Sequence, residues 1–310
     1  MKRVGKKTGG KMPTPRRRKC GTMSNHYRIC ENHPEFRTAL HDLEHAAARR
    51  MASGAKKLKL PVTIPVVVHV VHKTPDENIS AAQIRSQIKV LNKDYRAKNA
   101  DKNKVPAVWQ GLVTDAGVHF KLATIGPTGK KTTGITRTQT SEDSFSDDDT
   151  MKSSATGGVN PWPTKKYLNI WVCTLSGGLL GYAQFPGGPA ATDGVVILNT
   201  AFGTKGTAAV PFNLGRTTTH EVGHWLNLRH IWGDTPDCSG GDSVSDTPNA
   251  EGPNFNKPSF PRITCGNGPN GDMFMNYMDY VDDDSMFLFT TQQVSRMQAT
   301  LEGPRGTLIT

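Results

Sequence analysis

Three histidines and one glutamate lie close together in the segment HEVGHWLNLRH, residues 220–230. On a helix, side chains four positions apart share one face, so His220 and His224 can direct their imidazole rings at one ion. A catalytic zinc ion takes three protein ligands, commonly neutral imidazole nitrogens, and keeps a fourth position open. His230 is the candidate for the third ligand. Three unrelated core histidines, each with its own hydrogen-bond partner, are the alternative.

The third histidine constrains the backbone that carries it. It lies six residues after His224, and a continuing helix would rotate it by about 600°, away from the metal. The sequence therefore predicts a helix over residues 214–227 that ends at Asn227. Asparagine is one of the residues that adopt the left-handed conformation found at many helix ends, so we expect a positive φ there.

Glu221 follows the first histidine and is not itself placed to bind the metal. From this position its carboxylate can reach a water molecule on the open zinc position, whose pKa the metal lowers toward neutrality. We expect Glu221 to act as a general base and to pass the proton to the leaving amine, as in peptide hydrolysis by zinc proteases. A catalytically silent zinc-bearing binding module is the alternative, although a structural zinc site would need a fourth protein ligand.

The hydrophobic pattern predicts a β-sheet backed by helices. The run VTIPVVVHVVH (62–72) has no polar alternation, which is typical of a strand buried on both faces. Capping-box pairs predict one long helix after Ser80 and a last helix after Thr290, and apolar spacing predicts another over residues 34–50. Residues 193–199 are predicted to form an edge strand whose free amides bind substrate as an added antiparallel strand. Further strands are predicted at residues 118–124 and 166–173.

The composition limits the other possible functions. The net charge of +11 is concentrated in residues 1–19, which hold nine Lys or Arg residues and no acid. Such a segment could bind nucleic acid, but it has no aromatic residues for base stacking, so a solvated leader is expected instead. No apolar run of about eighteen residues exists to cross a membrane. No secretory signal is visible, so either the chain is intracellular or the signal is missing from this numbering.

The segment 220–230 resembles the signature HExxHxxGxxH of the metzincin metalloproteases, with Asn227 in place of the glycine. The stretches HEVGHWLNLRHIWGD, SDTP (245–248) and NYMDYVDDDSMFLFTTQQVSRM are similar to the pappalysin family, especially its ulilysin-like members. This resemblance implies a metzincin fold: a twisted mixed β-sheet with two long helices, and a loop-rich C-terminal subdomain that ends in a helix. It also implies a secreted zinc endopeptidase that is made as a latent zymogen.

The resemblance also implies roles for individual residues. Met278, or alternatively Met275, belongs to the Met-turn below the zinc, and Tyr280 stabilises the oxyanion. Cys20, in RRKCGTM, is a cysteine switch whose thiolate occupies the open zinc position. A reactive thiol in a disordered tail is the alternative for this cysteine.

Further implied roles lie after the histidine segment. Cys238 and Cys265 would form a disulfide, and the loop between them would bind calcium through oxygen ligands. Asp283 would lie at the floor of the S1′ pocket and favour Arg or Lys at P1′. A solvated acidic loop and an exposed acidic turn are the respective alternatives. The calcium candidates are Asp242, the Val244 carbonyl and Thr247, with Asp246 as a further possibility.

We predict the following organisation of the chain. Residues 1–50 form a basic pro-segment, and residues 51–60 form a linker, with activation cleavage expected near Arg49 or Arg50. Residues 61–303 form the catalytic domain, divided near residue 230 into an N-terminal subdomain and a C-terminal subdomain (231–303), and residues 304–310 form a tail. The expected partners are protein or peptide substrates, without nucleic acid or membrane, and the chain is expected to be a monomer. A disulfide and calcium fit an extracellular location.

Overall fold

The computed structural model of the protein describes residues 15–53 and 61–309. Its helices are α1 (Thr22–Asn32), α2 (Pro34–Ser53), α3 (Ala81–Asp94), α4 (Arg216–Trp225) and α5 (Thr291–Glu302). Its strands are β1 (Val62–His72), β2 (Val118–Leu122), β3 (Ile135–Gln139), β4 (Leu168–Cys173), β5 (Gly181–Ala183), β6 (Val195–Leu198), β7 (Phe255–Asn256) and β8 (Tyr280–Val281).

Strands β1 to β6 form one mixed sheet. Its order is β2-β1-β4-β6-β5, and β3 continues the β2 side along the second half of β1. All pairs are parallel except β5 with β6, which is antiparallel. Strands β1 and β4 are central, β1 is rich in β-branched residues, and the side chains of both strands are largely buried on both faces. The predicted mixed α/β sheet is confirmed.

Helices α3 and α4 pack side by side against the sheet. Helix α3 begins at the Ser80 cap, whose hydroxyl accepts a hydrogen bond from the Gln83 amide. Helix α5 begins at Thr290 with a complete capping box. Both helix starts agree with the sequence prediction. Among residues 15–53 and 61–309, none of the helices has the length and hydrophobicity that a membrane crossing requires.

The prediction of an edge strand at residues 193–199 is wrong. Strand β6 lies between β4 and β5, and all four of its side chains are buried. The edge strand on this side of the sheet is β5, which contains only three residues and begins at Gly181. A side chain at Gly181 would lie 2.7 Å from the Val196 carbonyl oxygen, so glycine allows β5 to approach β6 closely. A short glycine-bearing strand gives no hydrophobic periodicity, which is why the sequence indicated only a glycine-rich loop or edge in this segment.

The predicted pro-segment, called the leader below, folds against the rest of the chain in its described part, residues 15–50. Helix α1 packs on β5, and α2 packs on α5. The helix predicted over residues 34–50 continues to Ser53, so the first three residues of the predicted linker belong to α2. Arg49 and Arg50 therefore both lie in α2, with Arg50 in its last turn. Residues 1–14 of the leader, residues 54–60 of the linker and Thr310 of the tail lie outside the described residues.

The chain after α4 has little regular structure. Strands β7 and β8 form a two-residue parallel pair, and a disulfide joins Cys238 to Cys265. Cys173 is a buried free thiol. The disulfide restrains a segment that has few buried apolar side chains of its own.

Candidate metal centre and cleft

The three histidines converge, and the local chain path explains how. Helix α4 carries His220 and His224 on one face and ends at Trp225. Asn227 then adopts a φ of 72°, which confirms the predicted left-handed turn. The Leu228 amide donates to the Gly223 carbonyl at 2.9 Å, and His230 returns to the same face. The Nε2 atoms of His220, His224 and His230 lie 3.0 to 3.2 Å from one another.

The other ring nitrogen of each histidine has its own acceptor. His220 Nδ1 donates to the Tyr277 carbonyl at 2.7 Å, and His224 Nδ1 donates to the Leu228 carbonyl at 2.8 Å. His230 Nδ1 donates to the Asp234 carboxylate at 2.6 Å. These bonds leave each neutral ring with an unprotonated Nε2. The three Nε2 atoms are all hydrogen-bond acceptors, so none of them can donate a hydrogen bond to another. A cation with imidazole ligands fits this donor set.

Burial favours the uncharged imidazoles that metal binding requires. The three rings are buried, and desolvation lowers the pKa of His220 and His224 well below the usual value for histidine. The neighbouring histidines act in the same direction. For His220 and His224 the neutral ring is thus the stable form at neutral pH.

Glu221 lies beside this centre, and the leader contacts it. The Cys20 thiol donates to Glu221 Oε2 at 3.3 Å, and the Thr22 hydroxyl donates to the same oxygen at 3.0 Å. Burial raises the pKa of the Glu221 carboxyl to about 8, which makes its carboxylate a stronger base. The Cys20 sulfur and the three Nε2 atoms all lie within 4.8 Å of one another, and no other such group occurs in residues 15–53 and 61–309.

Met278 and Tyr280 approach the histidines from the chain that follows α4. A side chain at Gly223 would lie 2.5 Å from the Met278 sulfur, so the glycine of HEVGH leaves space for this methionine under α4. The Tyr280 ring centroid lies 5.8 Å from that of His220 and 5.0 Å from that of His230. Of the two methionines that the sequence left open, Met278 is the one whose sulfur lies directly against the glycine between the two helix histidines.

A leader arginine occupies a buried acidic pocket next to the histidines. The Arg18 guanidinium contacts Asp283 at 2.7 Å, and the two side chains are 1% and 0% exposed. It also donates to the Thr217 hydroxyl and the Val281 carbonyl. The second Asp283 oxygen accepts from the amides of Leu214 and Arg216, which fixes the carboxylate. Asp283 is therefore a buried receptor for a basic side chain and not part of an exposed turn.

The leader also covers the free edge of β5. The Leu180 amide donates to the Lys19 carbonyl, and the Gly21 amide donates to the Gly181 carbonyl, both at 2.9 Å. The Thr22 hydroxyl accepts from the Ala183 amide at 2.8 Å. The pairing at Cys20 and Gly181 is parallel. The outward amides and carbonyls of this edge strand thus have partners in the leader.

Two of the calcium candidates lie in contact. Both carboxylate oxygens of Asp242 accept from the Thr247 hydroxyl, at 2.9 and 2.8 Å, and the Val244 amide lies 3.4 Å from one of them. Burial raises the pKa of Asp242 to about 7. Asp246 instead accepts from the Thr290 hydroxyl and the Gln292 amide at the start of α5. Its carboxylate is therefore engaged by α5.

Sequence reasoning missed Arg18, Thr22 and Asp234. The basic run before Cys20 hid Arg18 among other charges, and its partner Asp283 is 265 positions away. Asp234 follows His230 by four residues, so its spacing could have indicated a hydrogen-bonded partner for that ring.

A mixed sheet above a helix that bears HExxH, with a third histidine returned to its face, defines a metzincin-type metalloendopeptidase. The peptidase family described as pregnancy-associated plasma protein-A matches residues 150–302. Extracellular metalloprotease 1 of Coccidioides posadasii is 32% identical over 297 residues, which cover 93% of this chain and 90% of the relative. The chain belongs to this pappalysin family of metalloproteases.

Solved structures of mirolysin and of its precursor form resemble this one. Mature mirolysin of Tannerella forsythia, in complex with a cleaved peptide, is 51% identical, with a TM-score of 0.79, and the match covers 81% of this chain and 96% of that one. A mutant of Tannerella forsythia promirolysin is 46% identical, with a TM-score of 0.85, and covers 94% of this chain and 97% of that one. The match to the promirolysin structure thus extends over more of this chain than the match to the mature form.

Proposed function

We propose that this chain is a secreted, monomeric zinc endopeptidase, made as a latent zymogen, that cleaves proteins or peptides before Arg or Lys. The convergence of three Nε2 atoms, each on a ring whose Nδ1 is already hydrogen-bonded, carries the proposal. Relatives named as extracellular metalloproteases support secretion, and the promirolysin likeness supports a zymogen. Residues 1–50 would be the pro-segment and residues 61–303 the catalytic domain.

The residues of the centre are proposed to have different roles in hydrolysis. His220, His224 and His230 would hold zinc, which polarises a water molecule and lowers its pKa toward neutrality. Glu221 would take the proton of this water at its carboxylate and deliver it to the leaving amine. Burial keeps the pKa of the Tyr280 hydroxyl well above its usual value, so it remains a hydrogen-bond donor for the developing oxyanion.

Latency is proposed to come from the leader. Cys20 lies where its sulfur could bind the same cation as the three histidines, and a thiolate is a strong zinc ligand. Thr22 and Cys20 also donate hydrogen bonds to the Glu221 carboxylate, so that in this state Glu221 would not be free to act as the general base. Because the leader covers the β5 edge, a substrate strand can pair there only after the leader has left. Mature mirolysin, whose structure holds a cleaved peptide, supports a peptide ligand for this cleft.

The preference for Arg or Lys at P1′ is proposed from the Asp283 pocket. Arg18 shows that a guanidinium fits this pocket with three hydrogen-bonding partners: Asp283, Thr217 and Val281. A substrate arginine could make the same contacts, and a lysine could reach the carboxylate alone. Calcium is proposed as a second metal, held by Asp242, the Val244 carbonyl and Thr247.

Cleavage of a peptide library, read by mass spectrometry, tests this function. We expect the activated wild-type protein to cut before Arg or Lys. Glu221→Ala should lose at least about a hundredfold in rate while zinc remains bound in equal amount. Glu251→Ala changes an exposed glutamate and serves as the matched control. Activity that persists in Glu221→Ala would overturn the mechanism. A zinc-loaded, activated wild-type protein that cleaves nothing would favour a silent binding module.

A further inference from the structure

A buried group of charges lies next to β5 and contacts the leader after Cys20, whereas the Asp283 pocket contacts it before Cys20. Asp149, 6% exposed, lies 2.6 Å from the ammonium group of Lys152. It also accepts from the Tyr182 hydroxyl at 3.0 Å. The leader adds Arg28, whose guanidinium contacts Asp149 at 2.5 Å. Two cations therefore share one carboxylate while the leader is in place.

The two carboxylate oxygens of Asp149 have different partners. Lys152 and Tyr182, both from the catalytic domain, contact Oδ1. Among the hydrogen bonds of the described residues, Oδ2 is bound by Arg28. The same guanidinium nitrogen lies 3.2 Å from the Asp147 carbonyl. Departure of the leader therefore frees one carboxylate oxygen and one carbonyl oxygen, side by side, while Lys152 and Tyr182 still hold the carboxylate in position.

This pair of acceptors is beside the strand on which substrate is proposed to bind. Tyr182 is the middle residue of β5, and its side chain ends on Asp149. The Arg28 guanidinium also donates to the Asn25 side chain, which donates in turn to the Ala183 carbonyl of β5. The leader runs from Asp283 at Arg18, past the histidines, and along β5. Along the leader, the contact with Asp283 therefore comes before Cys20, and the contact with Asp149 comes after it.

We propose that Asp149 Oδ2 and the Asp147 carbonyl form a subsite for a guanidinium or ammonium side chain of the substrate, on the amino side of the scissile bond. This inference rests on the proposed function, because it requires that the leader leaves and that substrate pairs with β5. Arg28 and Arg18 then occupy two basic subsites in the zymogen. The preferred substrates carry one basic residue after the cleaved bond and a second basic residue upstream of it.

Lys152 allows this subsite to form at a buried position. An unpaired buried carboxylate is costly, and Lys152 offsets that cost when the leader is absent. Its ammonium also donates to the Thr192 carbonyl and lies over the rings of Trp171 and Tyr182, so it is fixed in place. A second cation gains a charge-assisted hydrogen bond to an oxygen that is already oriented.

Matched peptides test the subsite in the zinc-loaded protein after activation of the full chain. Every peptide carries Arg at P1′, and each of the four upstream positions carries either Arg or the uncharged Gln. We expect Arg at one upstream position to raise kcat/KM about tenfold over Gln, as a charged hydrogen bond predicts. In Asp149→Asn this ratio should fall to about one, while Asp148→Asn, which changes an exposed neighbour, should keep it.

A second experiment leaves the catalytic domain unchanged, because Asp149→Asn could also disturb folding around Lys152. A synthetic leader peptide of residues 15–33 should inhibit the activated protein, and Arg28→Gln in the peptide should weaken inhibition about tenfold. Gln in place of Arg16, an exposed residue, is the control and should not weaken inhibition.

The outcomes separate the two proposals. If no peptide is cleaved, the proposed function fails. If cleavage requires P1′ Arg but upstream Arg has no effect, and the Arg28→Gln leader peptide inhibits as strongly as the unchanged one, the upstream subsite is refuted and the proposed function stands. An upstream preference that survives in folded Asp149→Asn would likewise refute it.

Discussion

His230 differs from the other two histidines in the partner of its Nδ1 atom. His220 and His224 donate to backbone carbonyls, which no substitution removes, whereas His230 donates to the Asp234 carboxylate. A carboxylate partner orients the ring and increases the basicity of the metal-binding nitrogen. His230 also lies outside the helix, on a chain that has just turned. The position of His230 therefore depends on its contact with Asp234, whereas His220 and His224 are positioned by helix α4.

We expect Asp234→Ala to weaken zinc binding or activity by about 10- to 100-fold, the usual range for loss of such a partner. Asp234→Asn keeps a neutral acceptor and should lie between Asp234→Ala and wild type. Zinc release to a competing chelator measures the effect. Asp237→Asn, at an exposed site in the same loop, is the control. Wild-type zinc affinity in Asp234→Ala would show that the turn alone holds His230.

The residues of the candidate centre were predictable where they are close in sequence. The spacing within residues 220–230 indicated the three histidines, the glutamate and the turn at Asn227, because helix geometry alone decides which faces meet. Arg18 and Asp283 were not predictable as a pair, because nothing local links residues so far apart. Cys20 and Glu221 are likewise far apart in the sequence, so their contact was not predictable from local pattern. Only the family resemblance indicated a role for Cys20.

At the scale of elements, length and periodicity decided what could be predicted. Strand β1 and helices α3 and α5 are long, with regular apolar spacing or clear caps, and the sequence located each of them. Helix α1 was missed, and the segment that holds β5 was predicted only as a glycine-rich loop or edge. Helix α1 has no side-chain cap at its start and few buried residues, since its stability comes from packing on β5 and α2. Tertiary contacts of this kind have no local signature.

One of the ion pairs that join α2 to α5 also contacts the turn that precedes His230. Glu44 accepts from the Arg296 guanidinium at 2.8 and 2.6 Å, and Arg296 donates to the Asn227 carbonyl. Burial alone would raise the pKa of Glu44, but Arg296, with Arg229 and Asn227, holds that pKa below its usual value of 4.5. The ionised carboxylate therefore favours the docked leader.

We expect this contribution to docking to be complete above about pH 4.5 and to be lost as the pH falls through the lower pKa of the docked state. Acidification should thus speed release of the leader. Glu44→Gln should release it faster at neutral pH and respond less to acid. Activation lag times between pH 3.5 and 7, followed with a peptide substrate, measure this, and Glu35→Gln, on the exposed face of α2, is the control. An unchanged pH response in Glu44→Gln would contradict the role of this pair.

At the scale of the whole molecule, the parts of the chain before and after residue 230 are stabilised by different means. The first part buries a sheet under two helices, whereas the loop region of the second part relies on the disulfide and on polar contacts. Asp242 lies in that loop, and its carboxylate accepts hydrogen bonds from the Thr247 hydroxyl. Burial raises the pKa of Asp242 to about 7. A proton and a calcium ion would compete for this carboxylate.

We expect calcium to raise the unfolding temperature by a few degrees, and more at pH 8 than at pH 6, because deprotonated Asp242 is the calcium-binding form. Asp242→Asn should lose most of this calcium-dependent increase. Differential scanning calorimetry with calcium or magnesium, with Glu251→Gln as a control at an exposed site, measures it. An equal calcium effect in wild type and Asp242→Asn would place the ion elsewhere.

In the proposed function, activation requires residues 15–50 to separate from the rest of the chain, and Arg50 distinguishes two routes. The sequence suggested that cleavage before Arg49 or Arg50 frees the enzyme. In the structure both residues lie in α2, and the Arg50 guanidinium binds Gln298 at 2.8 Å and pairs with Glu302, both on α5. A protease cleft binds an extended strand, so a cut at Arg50 requires α2 to unwind first.

We therefore expect Arg50→Gln to shorten the activation lag by about two- to fivefold, since the substitution removes a docking contact worth about 0.5–1 kcal/mol. If Arg50 were the residue recognised at P1′, the same substitution would lengthen the lag or abolish activation. The N-terminal sequence of the released enzyme then identifies the bond that is cut. Arg49→Gln, at the exposed neighbouring position, removes a basic residue without removing the contact to α5, so a changed lag in that variant alone would indicate cleavage before Arg49.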